Sequence, residues 1–472
     1  MVANTQDIKD FFKMDYVDQA SYDNLRKISS AVDGLKNSNR KVVYTVLEKN
    51  IKELIKVNQL ASKVAEFTDY LHGSLDGVVA NLGQNFMGSN QIPLLHKKGN
   101  FGTRSIPVAS ASRYINARGA DILQYLFNPA DKKILVKQTF EGMEIEPRFL
   151  LPLLPLLFVN GNRGVSSGFA QLIGQRDVKE IVKVLVLRLQ GKTNNFDNFN
   201  QVPMFFNDFK GTVTRDLETL DAYKWIIEGC YQQVKDEIHI TELPPDTKMV
   251  SYIHYLDSLQ EEKKIKSFKD KCDGDDWVFE IKLNKGQTLT HEQIVKLFKL
   301  RTTQTENFTS LGSDNKIKEF KHPSEIMQHF YETKINFLQE RKRYLLQDLN
   351  TQILKKQNQY RFLELVVGGK LNIQKLTTAA LIEILIKEKF DKFEDSYRYL
   401  TSMPISSMQK DTMERLAKEI QDMLKQLQDL QDRTPEALWL EDIKEFAGYC
   451  KQKGLFRIAD KPVSNKIVAE AA

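Results

Sequence analysis

The chain has few cysteines and no long apolar segment. Its three cysteines, Cys230, Cys272 and Cys450, lie far apart and form no C-x-x-C pair, which argues against a zinc site and fits a reducing compartment. The longest apolar run, FLLPLLPLLFV at 149–159, is interrupted by prolines and is too short to span a bilayer. The first residues, MVANTQDIKDFFKMDY, lack the apolar core of a signal peptide. We therefore expect a soluble, intracellular protein.

Opposite charges nearly balance, and no nucleotide-binding signature is present. The chain of 472 residues has 68 basic and 62 acidic residues and a net charge of +6. Any nucleic-acid surface must therefore be a local basic patch. The sequence has no G-x-x-x-x-G-K-[ST] segment and no clustered acidic set suited to a magnesium ion. The length predicts two to four domains.

One segment combines the residue types that covalent phosphate chemistry needs. Residues 99–118 read GNFGTRSIPVASASRYINAR, with glycines for a tight turn and small residues that let backbone approach a ligand. Tyr114 follows Arg113, and Arg104 and Arg118 lie nearby. A phenol, with a pKa of about 10, is a poor nucleophile unless positive charge stabilises its oxyanion, and arginine suits phosphate oxygens. Tyr114 is therefore either a nucleophile that attacks a phosphodiester or a half-buried tyrosine between solvated arginines.

Upstream of this segment, the apolar pattern predicts three amphipathic helices. Their inward positions are Val43, Leu47, Ile51 and Leu54, then Val57, Leu60, Val64 and Phe67, then Leu71, Leu75, Val78, Leu82 and Phe86. Three short helices before a glycine turn suit a winged-helix module, in which one helix lies in a DNA groove. Lys36, Arg40 and Lys41 at the start of the first helix either contact DNA or form a solvated helix start.

Downstream, an α/β pattern gives way to long helices. Alternation from Trp277 to Leu283 predicts a half-buried strand. From Pro323 the pattern is helical up to Gly368. A second helical run has a coiled-coil seam at Met413, Leu416, Ile420, Met423, Leu427 and Leu430. The simplest geometry is an outgoing helix, a small globular tip and a returning helix.

Taken together, these segments resemble type IIA DNA topoisomerases over nearly the whole chain. The tyrosine segment resembles the family's active-site stretch, in which the catalytic tyrosine follows an arginine after a G-x-FGTR turn. Further similar segments are SSAVDGLK, QNFMGSN, ITELP, YRYLTSMPI and TPEALWLEDI. The similarity is to the eukaryotic and T-even-phage form of the family.

The resemblance implies a mixed α/β, multidomain fold. It implies a winged-helix DNA-gate module, an α/β tower domain and a long antiparallel coiled coil with a globular dimerisation tip. The predicted limits are an N-terminal arm at 1–25, the winged-helix domain with the tyrosine at 26–125, the tower at 126–300, the outgoing helix at 301–369, the tip that closes the exit gate at 370–405, and the returning helix and tail at 406–472.

The resemblance also implies roles for single residues. Tyr114 would form a transient link to a 5′ phosphate, and Arg113 would stabilise the developing charge. Val165 stands where the family has an isoleucine that wedges between base pairs; it either inserts or packs into its own domain. His72 matches the second histidine of the family motif YHHGE, and Leu71 replaces the first. His72 either contacts a phosphate or transfers a proton, or it has only a structural role. The remaining candidate DNA contacts are Lys36, Arg40, Lys41 and Arg104.

Missing segments imply a partner. Since the ATPase and Toprim segments of the family are not found, the resemblance implies a breakage-reunion subunit of the T-even-phage type. ATP and most of the magnesium would bind a large partner subunit, and the chain would form a homodimer that cuts double-stranded DNA in the cytoplasm of an infected bacterium, with no membrane contact. Relaxation and decatenation are expected. The alternative is a non-catalytic architectural dimer that bends DNA.

Overall fold

The computed structural model describes residues 7–219, 222–373, 376–404 and 410–455. Within these ranges the chain forms two compact units, one from 7–129, 135–334 and 440–455 and one from 130–134 and 335–439. The helices are α1 (Ile8–Lys13), α2 (Asp15–Lys27), α3 (Asn37–Glu48), α4 (Val57–Thr68), α5 (Asp76–Gly83), α6 (Leu123–Leu126), α7 (Leu156–Asn160), α8 (Val178–Leu189), α9 (Met249–Glu261), α10 (His291–Leu297), α11 (Pro323–Val367), α12 (Thr378–Lys387), α13 (Arg398–Thr401), α14 (Lys410–Asp432) and α15 (Pro435–Lys453).

The strands all belong to the first unit and are short. They are β1 (Ile55–Lys56), β2 (Leu95–Lys98), β3 (Asn116–Gly119), β4 (Lys137–Phe140), β5 (Met143–Pro147), β6 (Asn162–Val165), β7 (Ala170–Ile173), β8 (Thr212–Arg215), β9 (Lys224–Glu228), β10 (Cys230–Val234), β11 (Glu237–Glu242), β12 (Ser267–Asp270), β13 (Phe279–Lys282), β14 (Arg301–Thr305), β15 (Thr309–Leu311) and β16 (Ile317–Glu319). In the described residues, each of these strands runs antiparallel to the strands with which it pairs.

The predicted N-terminal arm is helical in its described residues. α1 and α2 cover most of it, and apolar side chains such as Phe12 and Tyr16 remain largely exposed. α2 has acidic residues in its first turn and basic residues in its last turn, which the helix dipole favours.

The three amphipathic helices of the predicted winged-helix module are present as α3, α4 and α5. α3 buries Val43 and Val46, and α4 buries Leu60 and Val64. α5 is shorter than the apolar pattern predicts. It begins only at Asp76, because a left-handed residue ends α4 and the following residues form a loop.

A small antiparallel sheet completes this module. β3 is the central strand, with β1 on one side and β2 on the other. Asn116, the first residue of β3, pairs with Lys56 of β1 and Lys98 of β2. The sheet therefore fixes the path of the chain directly after Tyr114.

The apolar run 149–159 is buried inside the first unit. Leu154, Leu157 and Phe158 are fully buried, and the run leads through α7 into the β6–β7 hairpin. The Gln171 side chain anchors this hairpin one residue pair from its tip, since it accepts from the Ser29 amide and donates to the Thr309 carbonyl. No helix in the described ranges is long and apolar enough to cross a bilayer.

A four-stranded sheet of order β10-β11-β13-β12 dominates the predicted tower region. Its core includes residues of α9 and α10 and buries Trp277, Phe279, Ile281 and Leu283, which confirms the predicted alternation. A second sheet has the order β14-β9-β8. The boundary predicted at 301 is corrected here: β14 pairs with β9, so residues 301–305 are a strand and the long helix begins at Pro323.

The second unit contains most of α11 and all of α14, two long antiparallel helices. α11 has 45 residues, about 67 Å at 1.5 Å per residue. Lys356 of α11 pairs with Glu419 of α14 at 2.5 Å, whereas Lys342, earlier on α11, donates to the Gln431 carbonyl at 2.9 Å. The six seam residues of α14 are buried or half-buried, as a packed seam requires.

The segment that separates α11 from α14 in the sequence, where the tip is predicted, forms most of a small hydrophobic core. This core includes Phe362, Leu385, Phe390, Tyr397 and Leu400. The predicted returning helix is in fact two helices, α14 and α15. α14 ends at Asp432, and α15 begins at Pro435, a residue type favoured at the first position of a helix. The tail predicted after Phe456 lies outside the described residues.

Candidate active site and DNA-binding face

Tyr114 lies on an exposed turn that leads into the central strand of the small sheet. Its amide donates to the Ala111 carbonyl at 2.9 Å, which closes the turn. Its side chain is 69% exposed, so the interpretation of Tyr114 as a half-buried packing residue is not supported. The guanidinium carbon of exposed Arg113 lies 5.0 Å from the tyrosine ring centroid.

Two side chains from distant regions of the chain hold this turn. Lys56 Nζ donates to the Arg113 carbonyl at 2.9 Å. The Ser112 hydroxyl donates to the Asp76 carboxylate at 2.7 Å, at the first residue of α5. Neither Lys56 nor Asp76 was predicted, because they lie 57 and 36 residues from their partners and no local pattern signals the contact.

Arg104 is placed differently from the prediction. Gly99 and Gly102 have positive φ, and the turn they form directs Arg104 into the tower region. Its guanidinium bonds the Glu242 carboxylate at 2.6 Å and stacks over the Trp277 ring at 4.0 Å. The Arg104 side chain is 2% exposed, so in this structure it anchors the loop and does not face DNA.

Arg40 and Lys41 are also buried in ion pairs rather than exposed. Arg40 Nε bonds Asp33 at 2.6 Å, and Lys41 Nζ bonds Glu146 at 2.9 Å and the Thr68 carbonyl at 2.7 Å. Their positive charges are neutralised inside the unit. The structure therefore gives both residues a packing role and supports neither a DNA contact nor a solvated helix start.

Lys36 and His72 remain closer to solvent. Lys36 Nζ donates to the Arg163 carbonyl at 2.7 Å, and partial burial lowers the pKa of this ammonium. His72 lies exposed in the loop before α5, where its ring contacts the Tyr22 hydroxyl and the Tyr70 ring.

A cavity of about 270 Å³ opens beside His72. Arg26 and Lys27 from α2, Asn37 from α3 and Glu146 from β5 are among the residues that line it. Two exposed cations and a histidine thus border a mostly apolar cavity on the same module as Tyr114. Cationic side chains at its rim suit phosphate oxygens.

Val165 is displayed at the tip of the β6–β7 hairpin. It pairs with Ala170 as the last residue pair before the loop, and its side chain is 70% exposed. The alternative in which Val165 packs into its own domain is therefore not supported. Asp23 of α2 accepts hydrogen bonds from the loop residues Ser166 and Ser167, a contact that the sequence analysis did not anticipate.

The described side chains around Tyr114 do not form an evident metal site. Among the described residues, no three or more histidine, cysteine, aspartate or glutamate side chains are grouped as metal ligands. Asp76 near the turn is a single carboxylate already engaged by Ser112. The residues present do not fit a magnesium ion by themselves.

Comparison with known proteins identifies the family. The family of the DNA gyrase/topoisomerase IV A-subunit matches residues 26–444. The chain belongs to this family. Its topoisomerase resemblance is thereby confirmed, and the match includes the Tyr114 segment, His72 and Val165.

Similar proteins are full-length topoisomerases of eukaryotes. The mitochondrial DNA topoisomerase 2 of Dictyostelium discoideum is 31% identical over 94% of this chain and 35% of its own length. DNA topoisomerase 2 of Plasmodium falciparum is 28% identical over 97% of this chain and 35% of its own length. The chain thus spans about a third of the curated relatives it matches.

A solved structure shows the same fold. The DNA-binding, cleavage and re-ligation domain of Plasmodium falciparum topoisomerase II superimposes with a TM-score of 0.84 at 28% identity. The match covers 94% of this chain and 65% of that one. The mixed α/β architecture with its long helix is therefore that of a type II topoisomerase cleavage domain.

Proposed function

We propose that this chain binds, cleaves and re-ligates double-stranded DNA as the breakage-reunion component of a type IIA topoisomerase. The observation that carries the proposal is the exposed Tyr114 hydroxyl on a braced turn beside Arg113. Tyr114 is 69% exposed, so its hydroxyl is open to a phosphodiester. Membership in the A-subunit family of DNA gyrase/topoisomerase IV supports the same function.

The proposed reaction is a reversible transesterification. The Tyr114 oxygen bonds to phosphorus while the bond from phosphorus to the 3′ oxygen breaks, which leaves a 5′ phosphate on the tyrosine. The phenol gives up its proton and the departing 3′ oxygen takes one up. Arg113 stabilises the extra negative charge on the phosphoryl oxygens. Because one ester replaces another, resealing needs no external energy source.

The DNA face we propose is narrower than the sequence suggested. It comprises Lys36, His72 and the exposed Val165, which would insert between base pairs and bend the duplex. Arg40, Lys41 and Arg104 are left out, since their cationic groups are held by buried carboxylates. Binding through phosphates predicts a strong dependence on salt.

A partner is proposed for the remaining steps. We propose that ATP and magnesium are bound by a large subunit of the T-even-phage type, as the resemblance to that form of the family implies. Cutting both strands requires two copies of Tyr114 related by a two-fold axis, and the tip between α11 and α14 is the proposed dimer contact. The proposed setting is the cytoplasm of an infected bacterium, and the proposed outcome is relaxation and decatenation.

The decisive experiment traps the covalent link. Supercoiled plasmid, this chain, a partner supplying the ATPase and Toprim functions, and calcium or magnesium are mixed, then denatured and treated with protease. Wild type should give protein-linked linear DNA. Tyr114→Phe removes one oxygen and should abolish the product while DNA binding is kept. Tyr16→Phe, another exposed tyrosine, is the matched control and should cleave normally.

The same assay decides against the proposal if its outcome differs. Cleavage by Tyr114→Phe at the wild-type level would assign the chemistry to another nucleophile. DNA binding by wild type with no trapped break, under either metal and with the partner present, would favour the architectural DNA-bending dimer.

A further inference from the structure

A carboxylate from the N-terminal helix α2 holds the loop that follows Val165. Asp23 accepts from the Ser166 hydroxyl at 3.1 Å, the Ser167 amide at 3.1 Å and the Ser167 hydroxyl at 3.0 Å. Lys27, one turn later on α2, bonds the same carboxylate at 2.9 Å. Three donors from one short loop thus converge on a single side chain, directly beside an apolar residue that is 70% exposed.

The strand before Val165 is held by the same region of the chain. Gly164 lies so close to α2 that an added Cβ would be 2.3 Å from the Lys27 carbonyl oxygen. Lys36 Nζ donates to the Arg163 carbonyl at 2.7 Å. The strand is therefore fixed by backbone packing and by Lys36. The loop on the other side of Val165 is closed by the Ser166 amide, which donates to the Phe169 carbonyl at 2.9 Å, and is tied to α2 by Asp23.

The Asp23 contact persists at neutral pH. The hydrogen bond from Lys27 is the main reason that the pKa of this carboxyl falls to about 2. A lowered carboxyl pKa means that the contact is present above the ordinary pKa of aspartate and is lost only as the pH falls toward 2. The carboxylate is thus charged throughout the range in which DNA is duplex.

We propose that Asp23 is a positioning residue for DNA bending: it holds the Ser166–Ser167 loop so that Val165 can separate adjacent base pairs. The inference rests on the proposed function, in which Val165 is the wedge. Unstacking one base step costs free energy, so Val165 can stay between the bases only if its loop holds its position. A short valine side chain on a mobile loop would be displaced when the bases stack again. A loop bonded to α2 through Asp23 keeps the side chain in place.

The test measures the bend directly, without cleavage. A duplex of about 30 base pairs with a donor and an acceptor dye at its ends reports bending as increased energy transfer when the full chain binds. Val165→Ala shows how much of the increase in energy transfer is lost when the wedge itself is removed. Asp23→Ala should lose about half of the energy-transfer signal that Val165→Ala loses, because the wedge remains but its loop loses the three hydrogen bonds to the carboxylate. Asp18→Ala, which removes an exposed carboxylate on the same helix, is the charge-matched control and should bend DNA like wild type.

Two further arms separate positioning from misfolding. The Ser166→Ala/Ser167→Ala variant removes the two hydroxyl donors but keeps the Ser167 amide, so it should lose less of the bending signal than Asp23→Ala. Combining it with Asp23→Ala should add little, because Asp23→Ala already removes those two contacts. A duplex with a central unpaired bulge bends without unstacking. On it, Asp23→Ala should bind like wild type, whereas a misfolded variant would bind weakly to both duplexes.

Each outcome has a clear meaning. Full bending by Asp23→Ala while Val165→Ala is defective would overturn the bracing role of Asp23 alone. Full bending by Val165→Ala, or no bending by wild type, would overturn the wedge and with it this inference. The trapped Tyr114 link would still stand or fall by its own assay.

Discussion

Arg104 and Arg113 belong to the same segment, and the sequence assigns both to phosphate binding, yet the structure separates them. Arg113 lies exposed beside Tyr114. Arg104 lies 2% exposed between Glu242 and Trp277. One arginine is available for a ligand, and the other joins the turn to the sheet of the tower region. Residue type tells what a side chain can bind, but burial and partners decide what it does bind.

The same contrast recurs at the start of α3. Arg40 and Lys41 are neutralised by buried carboxylates, whereas Lys36 lies partly exposed against the Val165 hairpin. Cations of the two classes should respond to substitution in opposite ways. Buried ones should affect stability first, and exposed ones should affect DNA chemistry first.

The largest effect on stability is expected from Arg104→Ala. It leaves the Glu242 carboxylate buried without its cation, which costs about 3–5 kcal/mol. Urea unfolding of the purified chain should show this loss as a lower midpoint. Arg104→Met/Glu242→Gln, which removes both charges, should recover some of it. Wild-type stability for Arg104→Ala would mean that the buried pair is not formed in solution.

Arg113→Ala should show the opposite pattern. An exposed side chain contributes within about 0.5 kcal/mol to folding, so the urea midpoint should not move. The rate of DNA cleavage should fall roughly 100-fold, as when one donor to a developing anion is lost. Arg113→Lys keeps the positive charge but loses the two-pronged guanidinium, so its cleavage rate should lie between those of wild type and Arg113→Ala. If the urea midpoint of Arg113→Ala is as low as that of Arg104→Ala, both arginines support the fold and the proposed difference between them is wrong.

The smallest effect is expected at Lys56. Lys56→Met removes the hydrogen bond to the Arg113 carbonyl, worth about 1 kcal/mol, so cleavage should slow roughly fivefold as the tyrosine turn loosens. Lys56→Arg retains a donor and should restore most of the rate. Lys52→Met, a nearby exposed lysine, is the control and should cleave like wild type. Equal losses at both positions would indicate general charge loss rather than support of the turn.

Much of the architecture was predictable from local patterns. Helical spacing located α4 and the start of α3, which ends at Glu48 and leaves the predicted positions Ile51 and Leu54 outside the helix. Alternation located β13, and the absence of breakers located α11. Helix α5 was predicted too long, because apolar residues before Asp76 continue the helical spacing although the backbone forms a loop there. Strand β14 was assigned to the long helix, because its pairing with β9 depends on residues far away in the chain.

The sequence by itself determined the chemical candidates: a tyrosine beside an arginine, a glycine turn, a valine among glycines and serines, and two long amphipathic helices. The tertiary structure decided which cations are free, because Arg104 meets its carboxylate 138 residues away and Lys41 meets its own 105 residues away. It also decided how Tyr114 and Val165 are held, through Lys56, Asp76 and Asp23. Short-range periodicity records the burial of a helix face or strand, but a buried ion pair forms only when distant elements pack together.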